Sequence, residues 1–433
     1  MKRRPHFPRP TFIRLTLVFS VLIAGLFALA ACSQQSESTD LGSTLSSEEA
    51  TASAADETND TDDIRENAHG ISVVKDSAND STILYYSQAY EEGVDSEGNW
   101  THDIYAANLS SDPEDGLANA TKVISEDEAQ EPVSACLGAD GKTVLTWEDG
   151  YNTQDFEVAQ RMMILNSDGS KAFNKPLTIA LGGHSGHVSA TNKKNVVFWS
   201  EGWIDDGGYD YLGTGDDVYA SVFDADGNKE KEIEVAVGDE TRDYWPLIAS
   251  SDTRNLLVWQ RYDEDKEGVD LCMAILDPET GEFQNLDGEV TDYTKPHKLD
   301  DTGVQYYSYN VTWAPAAQVF VVCFQDPDGS GHILLINENG DLVKRVDGVG
   351  SLLREASPAV QDREDHTDLV YPCSDGGFFV AHVSSSDCEC SDVQGSWEGS
   401  TRGTTGWFAD DNTVYFASLG KDDVMLCHLQ FSD

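Results

Sequence analysis

The chain has 433 residues and a formal net charge of −50, with 28 Lys and Arg against 78 Asp and Glu. So few cations argue against nucleic acid and anionic lipid headgroups as partners, because phosphate binding needs Lys and Arg. The charge favours cations, basic peptides or neutral polar ligands as partners, and it is also typical of a surface protein kept soluble by its acids.

The first 31 residues have the three parts of an export signal. Five basic residues and no acid precede Leu15, and the 17 residues of Leu15–Ala31 carry no charge. A basic head, an apolar middle and small residues at the end predict a signal peptide over residues 1–31. The alternative is a retained signal anchor, but a membrane span needs about 20 apolar residues and this run is at the short limit.

The end of the apolar run carries a more specific motif. Leu29-Ala30-Ala31-Cys32 resembles the lipobox of bacterial lipoproteins. The resemblance covers only the front of the chain. It implies that the Cys32 thiol receives a diacylglycerol, that residues 1–31 are removed, and that the new amino terminus is acylated, for example with palmitate. Each buried CH₂ contributes about 0.8 kcal/mol, so two or three chains would hold the protein on the extracytoplasmic face of the cell membrane.

Residues 32–69 read as a linker that starts at the lipidated cysteine. From Ser33 onward the segment is rich in Ser, Thr, Ala, Asp and Glu and has no aromatic residue. Such a composition buries too little apolar surface to offset its ordering entropy, which predicts a disordered tether. Loss of the five basic residues of the signal takes the charge of the mature chain from −50 to about −55.

Residues 70–433 contain an internal repeat. "EPVSACLGADGKTVLTW" (131–147), "HVSATNKKNVVFW" (187–199) and "WPLIASSDTRNLLVW" (245–259) each join a short apolar stretch, a polar turn and an aliphatic run that ends in Trp. Four looser copies bring the number to seven. The landmark residues that end the copies are Tyr86, Trp147, Trp199, Trp259, Phe324, Cys373 and Ala417.

A third apolar run follows each pair, as in "VYASVF" (218–223) and "VMLCHL" (424–429), and a more polar fourth run follows most of these, as in "KEKEIEVAV" (229–237). Turns such as "SDPEDG" (111–116) and "DADGN" (224–228) are predicted to close the tight hairpins, in which Gly after Asp supplies a positive φ. Four antiparallel strands repeated seven times, with no 3.6-residue apolar period, predict an all-β fold: a seven-bladed β-propeller over 70–433. Six blades or a β-sandwich are the alternatives. The repeats resemble those of TolB-like proteins, which implies the architecture and no function.

The candidate ligand site lies in the loops between the second and third strands, which share one face of a propeller. Segments 87–102, 148–157, 200–217 and 261–270 interleave acids with aromatic residues, and the blade-to-blade loops 181–187 and 238–245 join the same face. Flat rings beside carboxylates suit sugars, and long loops on a rigid scaffold often carry function. The alternative is a solvated acidic rim. The aromatic candidates are Tyr90, Trp100, Tyr151, Trp203, Tyr209, Tyr211, Tyr244 and Tyr262.

Metal and cysteine sites have weaker signals. Asp205, Asp206 and Asp210 in the third loop are candidate calcium ligands, since calcium takes six to eight oxygens. Export permits disulfides, and Cys373 is placed to pair with Cys388 or Cys390. A metal site that joins these cysteines to His382, or His184 to His187, is a sharper alternative, although Cys-x-Cys is not the usual zinc spacing. Cys136, Cys272, Cys323 and Cys427 sit in apolar runs and are expected in the core.

These features predict an envelope-anchored lipoprotein whose propeller is a platform for binding a ligand, a glycan or another envelope protein. Two alternatives remain open, a glycan-active hydrolase or lyase and a structural scaffold for envelope assembly. A glycosidase needs a carboxylate pair about 5–10 Å apart. With so many acids the sequence does not choose the pair, so no catalytic residue is assigned.

Overall fold

The structure is a computed structural model. It describes residues 68–94, 100–126, 129–152, 157–201, 217–237, 242–262, 269–284, 297–305, 307–393, 402–420 and 423–431. Almost every element is a β-strand, and the strands form seven sheets. No helix in these ranges is long and apolar enough to cross a membrane.

The first three sheets follow the chain from its first described residue. Blade one contains β1 (Ala68–Asp76), β2 (Ser81–Val94), β3 (Trp100–Asn108) and β4 (Thr121–Ile124). Blade two contains β5 (Ala129–Gln130), β6 (Ser134–Leu137), β7 (Thr143–Asn152), β8 (Glu157–Leu165) and β9 (Leu177–Leu181). Blade three contains β10 (Gly183–Ala190), β11 (Asn195–Glu201), β12 (Asp217–Phe223) and β13 (Lys229–Ala236).

Blades four and five continue the pattern. Blade four contains β14 (Arg242–Ser250), β15 (Asn255–Tyr262), β16 (Val269–Asp277), β17 (Glu282–Gln284) and β18 (His297–Val304). Blade five contains β19 (Tyr309–Ala314), β20 (Val319–Gln325), β21 (Gly331–Ile336) and β22 (Leu342–Val349). In blade four both β17 and β18 pair with β16, so its outer edge is shared by two strands.

Blade seven takes its fourth strand from the segment that precedes blade six. The chain first forms β23 (Arg354–Ser357), then blade six with β24 (Ala359–Asp362), β25 (Thr367–Pro372), β26 (Phe378–Val383) and β27 (Cys388–Val393). Blade seven contains β28 (Arg402–Phe408), β29 (Thr413–Leu419) and β30 (Val424–Gln430). β23 pairs in parallel with β28, while β24 beyond Pro358 pairs with β25. Blade seven therefore has three antiparallel strands of its own and borrows a fourth.

Ring closure is achieved by side-chain packing. Seven clusters of buried apolar residues lie in the described part of the chain, one between each pair of consecutive blades. The cluster between blades seven and one packs Leu84 and Tyr86 of β2 against Trp407 of β28 and Leu419 of β29. The predicted seven-bladed propeller is therefore confirmed.

The aromatic landmarks fill these seams. Trp147, Trp199 and Trp259 lie in the second strands of their blades and are 0, 3 and 0% exposed. Each packs against the preceding blade, because strand side chains alternate between the two faces of a sheet. Two predicted landmarks were wrong. Tyr371 and Phe416 hold the position in blades six and seven, whereas Cys373 lies beyond the end of β25 and Ala417 faces the other seam.

One short helix replaces a predicted turn. α1 (Pro113–Ala118) follows β3, and the Asp112 side chain accepts hydrogen bonds from the backbone N–H groups of Glu114 and Asp115. A capping Asp, a proline in the first turn and acids near the N-terminus all favour a helix start. The sequence "SDPEDG" thus satisfies helix-start chemistry as well as turn chemistry.

Candidate site at the mouth of the axial channel

A channel runs down the axis of the ring. Its cavity is about 360 Å³ and is lined by the inner strands of all seven blades. Inner strands begin at one face of the ring and run towards hairpins at the other face. The face where they begin, here called the mouth, also holds the ends of the second strands and the starts of the third strands. The loops that the sequence selected start and end at this mouth.

The backbone is strained around the mouth. Six residues with positive φ lie in the first half of an inner strand or just before it: Gly70, Ser185, Trp245, Tyr307, Glu355 and Gly403. The four that are not glycine have φ of 52°, 53°, 58° and 53° respectively. The strand register shifts at this point in blades one, three and four, so the feature is a repeated β-bulge there. Bulky side chains rarely adopt such a conformation, which costs about 1–3 kcal/mol each and is concentrated at functional sites.

One half of the mouth is an aromatic and cationic wall. The Trp245 ring makes edge contacts with His187 and Tyr307, at centroid distances of 5.8 and 4.7 Å. Two guanidinium groups, those of Arg354 and Arg402, lie 5.6 and 5.7 Å from the centroid of Tyr307. These distances are within the range of cation–π attraction.

A largely buried ion pair supports this wall. The Nε and an Nη of Arg402 lie 2.7 and 2.6 Å from the Oε1 atom of Glu355, and both side chains are close to 90% buried. The Tyr309 hydroxyl donates to the carbonyl of Trp245, which holds the strained backbone from below. The ion pair thus fixes the Arg402 guanidinium group beside the Tyr307 ring without the need for a ligand.

The other half of the mouth holds carboxylates and histidines. Glu131 lies 3.4 Å from His69 and 3.3 Å from the buried His102. The Glu148 carboxylate accepts a hydrogen bond from the backbone N–H of the strained Ser185. Burial raises the pKa of Glu148 to about 7, and the neighbouring charge of Glu131 acts in the same direction against the Ser185 N–H and His69.

The histidines of blade three are held neutral. Burial, aided by the positive charge of Arg242, lowers the pKa of His184 to about 4. Burial also lowers the pKa of His187. Both rings contact Ser185, but at different atoms. The Nδ1 atom of His184 lies 2.9 Å from the Ser185 hydroxyl, and that of His187 lies 3.1 Å from the Ser185 carbonyl. These contacts position both rings, and the shared metal site considered from the sequence stays a prediction.

The predicted aromatic residues fall in three groups. Tyr244 is 4% exposed in the seam between blades four and five, with Arg242 over its ring, and Tyr262 is half-buried beside it. Tyr90, Trp100 and Tyr151 belong to strands that reach the mouth, but their side chains lie outside the described part. Trp203, Tyr209 and Tyr211 lie wholly outside the described residues, as do Asp205, Asp206 and Asp210. The predicted ligand and calcium sites are therefore untested.

The cysteines are reduced in the structure. All seven cysteines of the propeller are free thiols, and those of Cys388 and Cys390 lie 3.6 Å apart. His382 pairs with Glu389, while its neighbours Ala381 and Val383 pair with the two cysteines. Alternation along the strand therefore puts His382 on the opposite face of the sheet from both thiols, which overturns the cysteine–histidine metal site.

Sequence reasoning missed most of the mouth. It considered His187 and covered Glu148 and Trp245 only as members of candidate loops, but it did not consider Glu131, Tyr307, Glu355 or Arg402. A signal was present, because each of the positive-φ residues lies just before an inner strand or within its first four residues. Alignment of the repeats on that point would have collected the polar and aromatic residues into one ring.

Comparison with known proteins leaves the chain without a family. No protein family and no curated protein matches it. Among solved structures, it is similar to the GH93 α-L-arabinofuranosidase of Fusarium graminearum in complex with arabinobiose, with 10% identity and a TM-score of 0.44 over 77% of this chain and 95% of the other.

Two other solved structures of different function are equally distant. A subtype N11 neuraminidase-like protein of A/flat-faced bat/Peru/033/2010 has 10% identity and a TM-score of 0.41, over 77% and 90% of the two chains. A prolyl endopeptidase structure has 10% identity and a TM-score of 0.42, and the match covers 81% of this chain and 47% of the endopeptidase. At this distance the neighbours specify neither the ligand nor the chemistry of the present chain.

Proposed function

We propose that the protein is a ligand-binding protein of the cell envelope, anchored by lipid at Cys32, and that its ligand is a saccharide bound at the mouth of the axial channel. The observation that carries the proposal is the set of four strained residues, Ser185, Trp245, Tyr307 and Glu355. Backbone strain persists only where the surrounding structure enforces it, and here it sets two aromatic rings and a carboxylate at one opening.

The chemistry of the mouth supports a saccharide. An aromatic ring packs on the apolar face of a pyranose, while carboxylate and guanidinium groups exchange hydrogen bonds with its hydroxyls. Trp245 and Glu355 both line the 360 Å³ cavity, which is within the usual size range of small-ligand sites. A neutral sugar also avoids the repulsion that a polyanion would meet on a chain of charge −50.

Binding is tested with the full-length protein on a glycan array, followed by titration of each hit by tryptophan fluorescence. Trp245→Ala should weaken binding about tenfold or more, which corresponds to about 1.4 kcal/mol. Trp313→Ala is the matched control, since Trp313 is also half-buried on an inner strand but belongs to the opposite end of β19. Equal affinity of the two variants would refute the site. The absence of any glycan hit would favour the envelope scaffold instead.

The anchor is tested separately. Metabolic labelling with a fatty-acid analogue should mark the wild-type chain, whereas Cys32→Ala should carry no label and keep its signal peptide. Label retained by the variant would contradict lipidation at Cys32.

A second function, glycan hydrolysis, is favoured by one observation. Glu148 has a pKa of about 7 beside a second carboxylate, Glu131. A carboxylic acid with a pKa raised towards 7 beside a second carboxylate is typical of the general acid of a glycosidase. A hydrolase screen should then show activity that is lost in Glu148→Gln and falls above about pH 7, where the acid is ionised. Binding without turnover on every substrate bound would leave a binding protein only.

A further inference from the structure

A second cluster of functional side chains lies on blade six, at the face opposite the mouth. Asp368 and His382 are direct cross-strand partners on β25 and β26, and His366 is the residue immediately before β25. The potential ligand atoms of His366, Asp368 and His382 all lie within 4.8 Å of one another. The sequence suggested His382 only as a metal ligand beside cysteines, because Asp368 and His382 are joined only by strand register.

The two imidazoles converge on a single oxygen. The Nδ1 atom of His382 lies 2.5 Å from the Oδ1 atom of Asp368, and the Nε2 atom of His366 lies 3.1 Å from the same oxygen. The two rings meet edge to face at a centroid distance of 5.6 Å. Three donor atoms of types that bind transition metals thus share one point, with His382 about half exposed to admit an ion.

Neighbouring charges orient the cluster. The Nε–H of Arg363 donates to the other carboxylate oxygen of Asp368 at 2.7 Å, which leaves Oδ1 facing the imidazoles. The Asp365 carboxylate lies 2.7 Å from the Nδ1 atom of His366, and this contact selects the tautomer with Nε2 free to coordinate. A carboxylate behind a histidine is the usual outer support of a metal-binding imidazole.

We propose that His366, Asp368 and His382 form a binding site for a divalent transition metal, with zinc as the reference ion. Two imidazoles and one carboxylate are a common open zinc set, and about 2.1 Å bonds in tetrahedral geometry separate ligand atoms by roughly 3.4 Å. The observed separations of 2.5 and 3.1 Å need only small widening. Imidazole ligands disfavour calcium, which takes oxygen, so this site differs in kind from the acidic-loop site predicted by the sequence.

The metal would also stiffen a seam. Arg363 reaches across to blade seven, where it contacts the Asp411 carboxylate at 3.1 Å and the Asp411 carbonyl at 2.7 Å. An ion held by Asp368 fixes the carboxylate that orients this arginine. Glu389 is the cross-strand neighbour of His382 on β27 and is exposed, so its carboxylate is a candidate for the fourth ligand.

The test uses the full-length protein after dialysis against a chelator. Zinc is titrated by calorimetry, bound metal is counted by mass spectrometry, and cobalt is added separately to record its visible d–d spectrum. His366→Gln and His382→Gln should each weaken the zinc site at least about tenfold and abolish the tetrahedral cobalt bands. His428→Gln is the matched control, because His428 is an exposed strand histidine packed only on the Tyr415 ring among the contacts of the described residues.

Zinc should raise the melting temperature of the wild type and of His428→Gln, but not that of the two site variants. Zinc affinity and cobalt spectra that are identical in wild type, His366→Gln and His382→Gln would overturn the proposal. Failure to bind zinc at about 100 µM, a free energy weaker than roughly −5.5 kcal/mol, would overturn it as well. None of these outcomes bears on saccharide binding, since the cluster is at the other face of the ring.

Discussion

Two tryptophans of blade four, only 14 positions apart, differ in burial and in backbone conformation. Trp259 is fully buried in the seam between blades three and four, meets Phe198 edge to face at 6.1 Å and donates its Nε1–H to Asp243 at 2.6 Å. Trp245 is partly exposed at the mouth and sits on a backbone with φ of 53°. The seam is built from regular β-strands, whereas several residues at the mouth have a positive φ. Departures of this kind are expected where function, and not stability, selects the residue.

The largest difference between the two regions should appear in stability. Trp259→Ala removes a fully buried ring and opens a cavity in a seam, which should cost about 3–5 kcal/mol of the free energy of unfolding. Trp245→Ala removes a half-exposed ring and should cost much less. Urea unfolding followed by far-UV circular dichroism measures both. Equal losses in the free energy of unfolding for the two variants would mean that Trp245 stabilises the fold as much as Trp259 does, which would contradict the distinction between mouth and seam.

Breaking the ion pair of the mouth should have the next largest effect. Glu355→Gln removes one carboxylate partner of the largely buried Arg402, and we expect a loss of about 2–3 kcal/mol. Glu230→Gln is the control, because it removes the partner of Lys194 in a more exposed pair and should change stability by less than about 1 kcal/mol. A Glu355→Gln protein as stable as the control would show that the pair is not effectively buried.

Two mouth residues should give opposite pH dependences. The pKa of His184 is lowered to about 4, so its contribution to stability is complete above about pH 6.5 and is lost as the pH falls towards 4. The pKa of Glu148 is raised to about 7, so its contribution is complete below about pH 4.5 and is lost as the pH rises through 7. In the wild type the two trends offset each other between about pH 4.5 and 6.5.

Single variants separate these trends. Glu148→Gln should become less stable as the pH falls from 6.5 to 4.5, with a slope of up to about 1.4 kcal/mol per pH unit, and His184→Gln should become more stable over the same interval. Urea midpoints at half-unit pH steps test this. Parallel profiles for the two variants would contradict the assigned shifts.

The smallest expected effect isolates the backbone strain itself. The Ser185→Gly variant should be more stable than Ser185→Ala by about 1 kcal/mol, because glycine accepts φ of 52° without steric cost. Ser189 lies in the regular part of the same strand, and there the Ser189→Gly variant should be less stable than Ser189→Ala by about 0.5–1 kcal/mol. Thermal melts of the four variants give the comparison. A like sign at both sites would argue against strain at the mouth.

Much of the fold could be read from local pattern. A window of about ten residues is enough to recognise the second strands, the third strands and the tight hairpins. The strands show period-two alternation, and the hairpins have Gly after Asp. The two landmark errors, at Cys373 and Ala417, occurred in the last two copies, where Tyr371 and Phe416 hold the aromatic position one or two residues earlier. The helix α1 was missed because helix caps and turns use the same residues.

The sequence by itself therefore determined the seven-blade pattern of the propeller, since each strand and seam depends on the alternation of neighbouring residues. It also carries the Leu29–Cys32 motif, whose proposed lipidation needs no tertiary context. Only the tertiary structure decided which charged residues meet. Glu131, Ser185, Trp245, Tyr307 and Glu355 come from five blades and approach each other because the ring closes. His366, Asp368 and His382 meet because one strand register aligns them. Among so many acids, no local pattern distinguishes the few that the closed ring brings together.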